Sequence, residues 1–336
     1  MKSRFLSFIL LAALTIAALA VQTAPARAMD KITIAQFGSA RFLLYLPLYV
    51  AMEEGLFRKN GIDVILKFAG NDDQIFAAVA SGDADFGMGD PVFTAIAQEK
   101  GFPARTVALM ITSLGISGYT NNPKVHEIKN ADDLAGLRVG SFPQPSTTYT
   151  LLAELKRNHP ALKDMKIIEA PMGAQLALIE AGKADIAIDL EPAVSVAEDQ
   201  GYPVVFSLKN FTDPQAITGL MTTQTLIDKN SDLVRRAVLS LQEAMNVIHG
   251  PEGFETAVAV GKKISPDLSE KVIRAAVKRM MGNDMYPKSV VVQDGYWQRT
   301  LKTRLDSGDL HAPQPTEKAV DNSFAVAAEK TAAAKP

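Results

Sequence analysis

The sequence predicts an α/β protein of two similar doubly wound lobes, joined by a two-crossing hinge and finished by helices packed on the first lobe. Three observations carry that prediction. Strand-like and helix-like runs alternate from residue 32 to residue 89 and again from residue 137 to residue 190. A passage of the first half, Ser81-Gly82-Asp83-Ala84-Asp85-Phe86-Gly87-Met88-Gly89-Asp90-Pro91, is echoed one hundred residues later by Ala181-Gly182-Lys183-Ala184-Asp185-Ile186-Ala187-Ile188-Asp189-Leu190-Glu191-Pro192, with one extra residue before the proline. Beyond residue 230 the pattern turns wholly helical.

The elements follow in order. Ile32-Thr33-Ile34-Ala35-Gln36-Phe37 has the β-branched alternation of a strand, and Pro47 opens a helix through Val50, Ala51 and Met52. Ile62 to Phe68 is a second strand, Asn71-Asp72-Asp73 caps the helix carrying Ile75, Ala78 and Val79, and Ala84 to Gly89 is a third strand. The second lobe repeats this: strand Leu137 to Phe142, helix Ser146 to His159, strand Met165 to Ala170, helix Gly173 to Glu180, strand Ala184 to Leu190. Short strands alternating with helices call for parallel sheets, whose ligands bind beyond the carboxyl ends of the strands. Two apolar stretches, Ala108 to Thr120 and Ala216 to Thr223, are fit to cross between the lobes. Helices are expected from Ser231-Asp232, from Ser265-Pro266, and around Tyr296, Trp297 and Leu301. The domain division is then a signal peptide over 1–28, lobe 1 over 29–115 and 215–310, lobe 2 over 116–214, and a flexible tail over 311–336.

Composition narrows the function classes. With 336 residues, 47% apolar and 21% charged, the chain has the make-up of an ordinary soluble globular protein. Lys2 and Arg4 precede the apolar run Phe5 to Val21, and Ala26-Arg27-Ala28 supplies a small-x-small cleavage site, the pattern of a secretory signal peptide. There is no cysteine, which excludes a lipidated N-terminal Cys, a disulfide framework and thiolate metal sites; a freely soluble protein of a bacterial periplasm is expected. Loss of Lys2, Arg4 and Arg27 leaves 32 basic residues against 37 acidic, so the formal charge moves from −2 to −5 and nucleic acid is not an expected partner. His126, His159, His249 and His311 show no metal-ligand spacing, and no nucleophile elbow or phosphate-binding loop is present. Neither a metal nor a cofactor is expected, and the chain does not read as an enzyme.

At this point the residues resemble a known family. Pro47-Leu48-Tyr49-Val50-Ala51 to Gly55-Leu56-Phe57, Asn60-Gly61-Ile62-Asp63-Val64, Gly82-Asp83-Ala84-Asp85-Phe86, and Asp133-Leu134-Ala135-Gly136-Leu137-Arg138-Val139-Gly140 are similar to the nitrate/sulfonate/taurine-type substrate-binding proteins of ABC importers, the NMT1/THI5-like and SsuA/TauA-like group. The resemblance covers roughly residues 30 to 305. It implies a type II periplasmic-binding fold that closes by hinge motion on a small organic solute of the sulfonate, taurine, nitrate or pyrimidine-precursor type. It also implies an inner-membrane permease and ATPase as partners, for a protein expected to be monomeric. Two departures stand out: Gln144-Pro145-Ser146-Thr147-Thr148 lacks the leading glycine of small-anion members, and Leu190 stands between two acids where sulfonate-binding relatives often carry an aromatic residue. The alternatives are a thiamin-pyrimidine-precursor synthase-like enzyme, whose cysteine-rich motif is missing here, and a sensory binding protein for a membrane receptor.

The candidate ligand residues are those at the expected strand ends. From the first lobe come Gln36, Phe37, Arg41, Asn71 and Asp90; from the second come Gln144, Ser146, Thr147, Thr148, Gly173, Asp189 and Glu191. Ser146 to Thr148 stand at a helix start, where free backbone N–H groups favour an acceptor. Arg41 is the nearest side chain able to grip a carboxylate or sulfonate bidentately. Asp189 and Glu191 call for an amine or ring N–H donor, so the expected ligand is organic, with an acceptor end and a donor end. Phe37, Phe42, Tyr45 and Phe142 offer flat faces for stacking. Asp83, Asp85 and Asp185 flank strand starts, where junction roles are expected instead.

Overall fold

A computed structural model describes residues 28–38, 41, 43–144 and 146–334. The expected signal peptide, Ala28 apart, lies outside the described residues, as does Phe42. Among the described residues no helix is long and apolar enough to cross a membrane. The first half of the chain runs β1 (Asp30–Gln36), α1 (Leu46–Glu53), α2 (Leu56–Lys59), β2 (Ile62–Phe68), α3 (Asp72–Ser81), β3 (Phe86–Gly89), α4 (Val92–Glu99) and β4 (Ala104–Ile111). The second lobe follows with β5 (Ser117–Tyr119), β6 (Arg138–Ser141), α5 (Thr147–Asn158), β7 (Lys166–Glu169), α6 (Gln175–Glu180), β8 (Ile186–Asp189), α7 (Ala193–Asp199) and β9 (Val204–Ser207). The chain then returns through β10 (Thr218–Thr223) and closes with α8 (Gln224–Ile248), α9 (Gly253–Ile264), α10 (Glu270–Gly282), α11 (Asp294–Ser307), α12 (Thr316–Ala319) and α13 (Ser323–Ala333).

Two five-stranded sheets of matching order result, β2-β1-β3-β10-β4 and β7-β6-β8-β5-β9. This is the two-lobed α/β architecture expected, with one correction: the sheets are mixed, because β10 runs antiparallel to β3 and β4, and β5 antiparallel to β8 and β9. Each of these strands follows a crossing from the other lobe. A strand that enters a sheet from the ligand-facing edge must run back against its neighbours, whereas a helical crossover returns the chain to the starting edge.

The internal repeat extends to single hydrogen bonds. Asp85 Oδ2 accepts the Thr33 N–H at 2.7 Å, and Asp185 Oδ2 accepts the Arg138 N–H at 2.8 Å. A threonine from the antiparallel strand region seals each junction: Thr222 donates to the Asp85 carbonyl at 2.8 Å and Thr120 to the Asp185 carbonyl at 2.6 Å. Gly82 and Gly182, both at positive φ (81° and 62°), end the preceding helices in the two copies. The echoed segment therefore encodes a helix-stop and strand-anchor device.

The C-terminal helices clad lobe 1, as expected. Val234, Val238, Leu241 and Met245 of α8 share one core with Ile32, Ile34, Phe57 and Phe86, and Ile273, Val277 and Met280 of α10 join it. Trp297 is fully buried with Val92, Leu109 and Leu301. Helix α8 comprises two segments: a first one capped by Thr223, and, after a break at Asn230 (φ −149°, ψ 61°), the helix expected from Ser231-Asp232, capped by Asn230 Oδ1, which accepts the Leu233 N–H at 3.2 Å. Helix α10 begins at Glu270 behind a Ser269 cap, not at Ser265-Pro266. The expected flexible tail is also corrected: residues 323–333 form α13, which buries Phe324, Ala325, Ala328 and Ala332 against α8. Three alanines on one face give little hydropathy signal, yet they let the two helices approach closely and exclude water together.

Candidate functional site

The loops that leave the strands at their carboxyl ends converge between the lobes. Lobe 1 contributes Phe37 after β1, Asp72 after β2 and Asp90 after β3, with Leu44 and Tyr45 from the turn before α1. Lobe 2 contributes Phe142, Ser146 and Thr148 after β6, Met172 after β7 and Leu190 after β8; Leu114 and Ile217-Thr218 come from the two crossings. Together they line a half-open cavity of about 130 Å³. A neighbouring cavity of about 390 Å³ shares Phe37, Asp72 and Ser146 and adds Asn71, Asp73, Phe93, Ile96, Lys100, Arg304 and Asp309.

Of the residues expected to contact a ligand, Phe37, Asn71, Asp90, Ser146 and Thr148 line one or both cavities. Ser146 Oγ also caps α5 by accepting the Tyr149 N–H at 3.2 Å, and Thr147 is the first residue of that helix. Asn71 caps α3 through a reciprocal pair with Gln74, so its side chain is engaged by the helix it starts. Gln36, Arg41, Gln144, Gly173, Asp189 and Glu191 are not among the residues lining the two cavities. Gln36 is buried and exchanges hydrogen bonds with the Tyr49 hydroxyl at 2.9 and 3.0 Å. Arg41 lies over the Tyr49 ring, 5.6 Å from its centroid, and pairs with Glu53 at 3.4 Å. Gln144 is exposed and its N–H donates to Glu169 at 3.0 Å, while Gly173 is an exposed turn residue with φ 88°.

The two acids near the end of β8 have different fates. Glu191, only 4% exposed, is ion-paired to Arg279 of α10 and accepts the Ser195 N–H at 3.1 Å. Arg279 also donates to Ser195 Oγ at 2.8 Å and to Glu198. Lys271 pairs with Asp199 at 2.6 Å and Lys209 with Asp284 at 2.5 Å, so helix α10 and the turn after it, anchored in the lobe 1 core, fasten onto lobe 2. Asp189 is buried, and its Oδ1 accepts the N–H of Leu190 at 2.8 Å. Burial, with Glu191 beside it, raises the Asp189 carboxyl to about 7.

A second acid at the cleft wall, Asp72, lies in the cleft-facing loop Gly70-Asn71-Asp72 but was not among the expected ligand residues. Asp72 occupies the first position of α3, and its Oδ1 accepts the Asp90 N–H at 3.0 Å. Burial raises its carboxyl to about 6, and the neighbouring Asp90 adds to the effect. A Cβ at position 89 would stand 2.6 Å from this carboxylate oxygen and 2.9 Å from Ile75 Cδ1, so glycine there makes the room Asp72 occupies. Asp90 is held differently: Oδ1 accepts the Val92 N–H at 3.0 Å, and Oδ2 meets Arg304, which also donates to Asp309 at 3.0 Å. Tyr45 is buried beside them, and burial and the Asp72 charge push its phenol well above the usual range. The usable signal for Asp72 was its position, one residue inside a helix that starts where a strand ends.

This arrangement suits non-covalent capture of a solute. Aromatic and aliphatic walls surround the hydroxyls of Ser146, Thr148 and Thr218 and the two acids Asp72 and Asp90, the make-up of a small-molecule site. Among the described residues no group of three or more His, Asp or Glu side chains is placed to hold a metal ion.

A family model described as NMT1/THI5 like matches residues 44–252. The riboflavin-binding protein RibY of Chloroflexus aurantiacus is 25% identical over 293 residues, covering 83% of this chain and 82% of that protein. In fold, the chain is similar to the periplasmic aliphatic sulphonate binding protein SsuA of Escherichia coli, with a TM-score of 0.68 at 17% identity over 87% of this chain and 92% of that one. The desulfurization enzyme DSZB has the same fold, with a TM-score of 0.62 at 13% identity over 90% of this chain and 99% of that one.

Proposed function

The chain belongs to the NMT1/THI5-like family, and we propose that it is the periplasmic solute-binding component of an ABC importer, closing two lobes on a small organic ligand that it hands to a permease and its ATPase. The observation that carries this reading is the cavity itself: its walls come from strand ends of both sheets and from both crossings, so a solute there touches every part that a hinge motion would move. A ligand held by both lobes binds the closed form more tightly than the open one, and that difference drives closure. The salt bridges from α10 to lobe 2 add a second set of contacts that closure would bring together.

An enzymatic reading has less support, since the likeness to DSZB is one of fold and the chain has no cysteine to serve as a nucleophile. A sensory role would use the same cleft, and co-purification with a permease rather than a membrane receptor separates the two. The direct test combines thermal-shift screening of the mature protein against flavins, pyrimidine precursors, alkyl sulfonates, taurine, nitrate and aromatic acids with small-angle scattering of each stabilised complex. A solute that raises the melting temperature and reduces the radius of gyration supports the reading; a screen with no stabilising solute removes it.

A further inference from the structure

The ionised groups at the cleft are not balanced. Asp72, Asp73, Asp90 and Asp309 line the two cavities against two cations, Arg304 and the solvent-exposed Lys100. Arg304 is already shared between Asp90 and Asp309. On the lobe 2 side the lining of the smaller cavity is Phe142, Ser146, Thr148, Met172 and Leu190, with no cation. Arg279, which reaches the residues after β8, is taken by Glu191 and Glu198.

We propose that Asp72 sets the charge of the solute, selecting a single-ring compound that presents a protonated amine or a ring N–H to it, and that bare anions are excluded. The proposal rests on the solute-binding reading above and names the ligand class for that site. Three pieces of geometry support it. The smaller cavity, about 130 Å³, is close in size to an apolar cavity of about 150 Å³ that admits benzene. Phe37, Tyr45 and Phe142 supply ring faces around it. Asp72 meets this space from the helix start, where the Asp90 N–H engages one oxygen. The charged groups facing Asp72 are Asp90 and Arg304, with Asp73 further along its own helix and the neutral Tyr45 phenol opposite. An incoming cation relieves the cost of keeping a carboxylate in this half-buried acidic setting, whereas an incoming anion adds to it.

The test is a thermal-shift and calorimetry panel of compounds matched in ring size: benzylamine, aminomethylpyrimidine, benzyl alcohol and benzenesulfonate, with nitrate and ethanesulfonate added. Each is measured on the parent and on Asp72→Asn, which keeps an acceptor for the Asp90 N–H. The expected result is stabilisation by the amines, with affinity lowered at least 10-fold in Asp72→Asn and also lowered in the parent as pH falls below the titration of the carboxyl. Binding of the sulfonates or nitrate in preference to the amines overturns the inference and leaves the solute-binding reading standing. Amines that bind Asp72→Asn as well as the parent overturn the assignment to Asp72. A panel in which nothing binds, followed by failure of the wider screen above, removes both readings.

Discussion

Asp189→Asn should stabilise the protein at neutral and alkaline pH. The carboxyl is 4% exposed and titrates near 7 in the folded chain, because burial disfavours its charge and Glu191 stands nearby. Unfolded, it returns to the ordinary 3.8. Between those two values the folded state keeps a proton that the unfolded state has released. Stability attributable to this group is therefore complete at low pH, is lost as pH rises from about 4 to about 7, and is constant above that. Three pH units at about 1.4 kcal/mol each put the ceiling near 4 kcal/mol. An asparagine keeps the acceptor that Leu190 N–H uses at 2.8 Å and carries no charge at any pH. Urea unfolding of variant and parent, followed by circular dichroism at several pH values, gives a difference in which all shared titrations cancel. The variant should match the parent near pH 4 and exceed it by about 2–4 kcal/mol at pH 8. A variant less stable than the parent at pH 8 would show that the carboxylate is charged and productively paired, refuting the burial argument.

Further outcomes are expected elsewhere. Arg279→Ala leaves Glu191 buried without its cation and should cost about 3–5 kcal/mol in chemical denaturation; adding Glu191→Gln to that variant should recover much of the loss. Ser146→Ala removes the cap of α5 and should lower stability by about 1 kcal/mol while weakening solute binding, whereas Thr148→Val should weaken binding with stability nearly unchanged. Unaltered affinity in both variants, measured by calorimetry, would exclude the helix start from the ligand site. Phe324→Ala should cost about 3 kcal/mol, readable through the fluorescence of the single, fully buried Trp297 in the same lobe; no change in the denaturation midpoint would show that α13 adds nothing to the lobe 1 core.

Much of the fold was legible because its signals are local. The alternation of Ile32 and Ile34, the Asn71 cap, and the Gly82-Asp85 and Gly182-Asp185 pairs each act within a few residues of chain or one strand pairing. The repeat then placed strand ends at a common edge, and that is where Phe37, Asp90, Ser146 and Thr148 are found. Side-chain engagement was not legible in the same way. Gln36 and Tyr49 satisfy each other inside lobe 1, and Glu191 meets Arg279 across 88 residues of sequence; no periodicity carries such pairings. The helix over 323–333 was hidden for a related reason, since its alanines matter only against α8.

The stretch 143–149 shows the division most plainly. Two prolines and a hydroxyl run specify by themselves that a helix starts near Ser146, because proline blocks the helix before it and serine satisfies its first free N–H groups. Which acid that helix start faces depended on the tertiary structure. Asp189 and Glu191, nearer in sequence, are occupied within or beside lobe 2, while Asp72 shares the cleft with Ser146 from the other lobe. Local sequence determines where backbone hydrogen bonds begin and end; the charge presented to a ligand is the sum over chains of contact that only packing brings together.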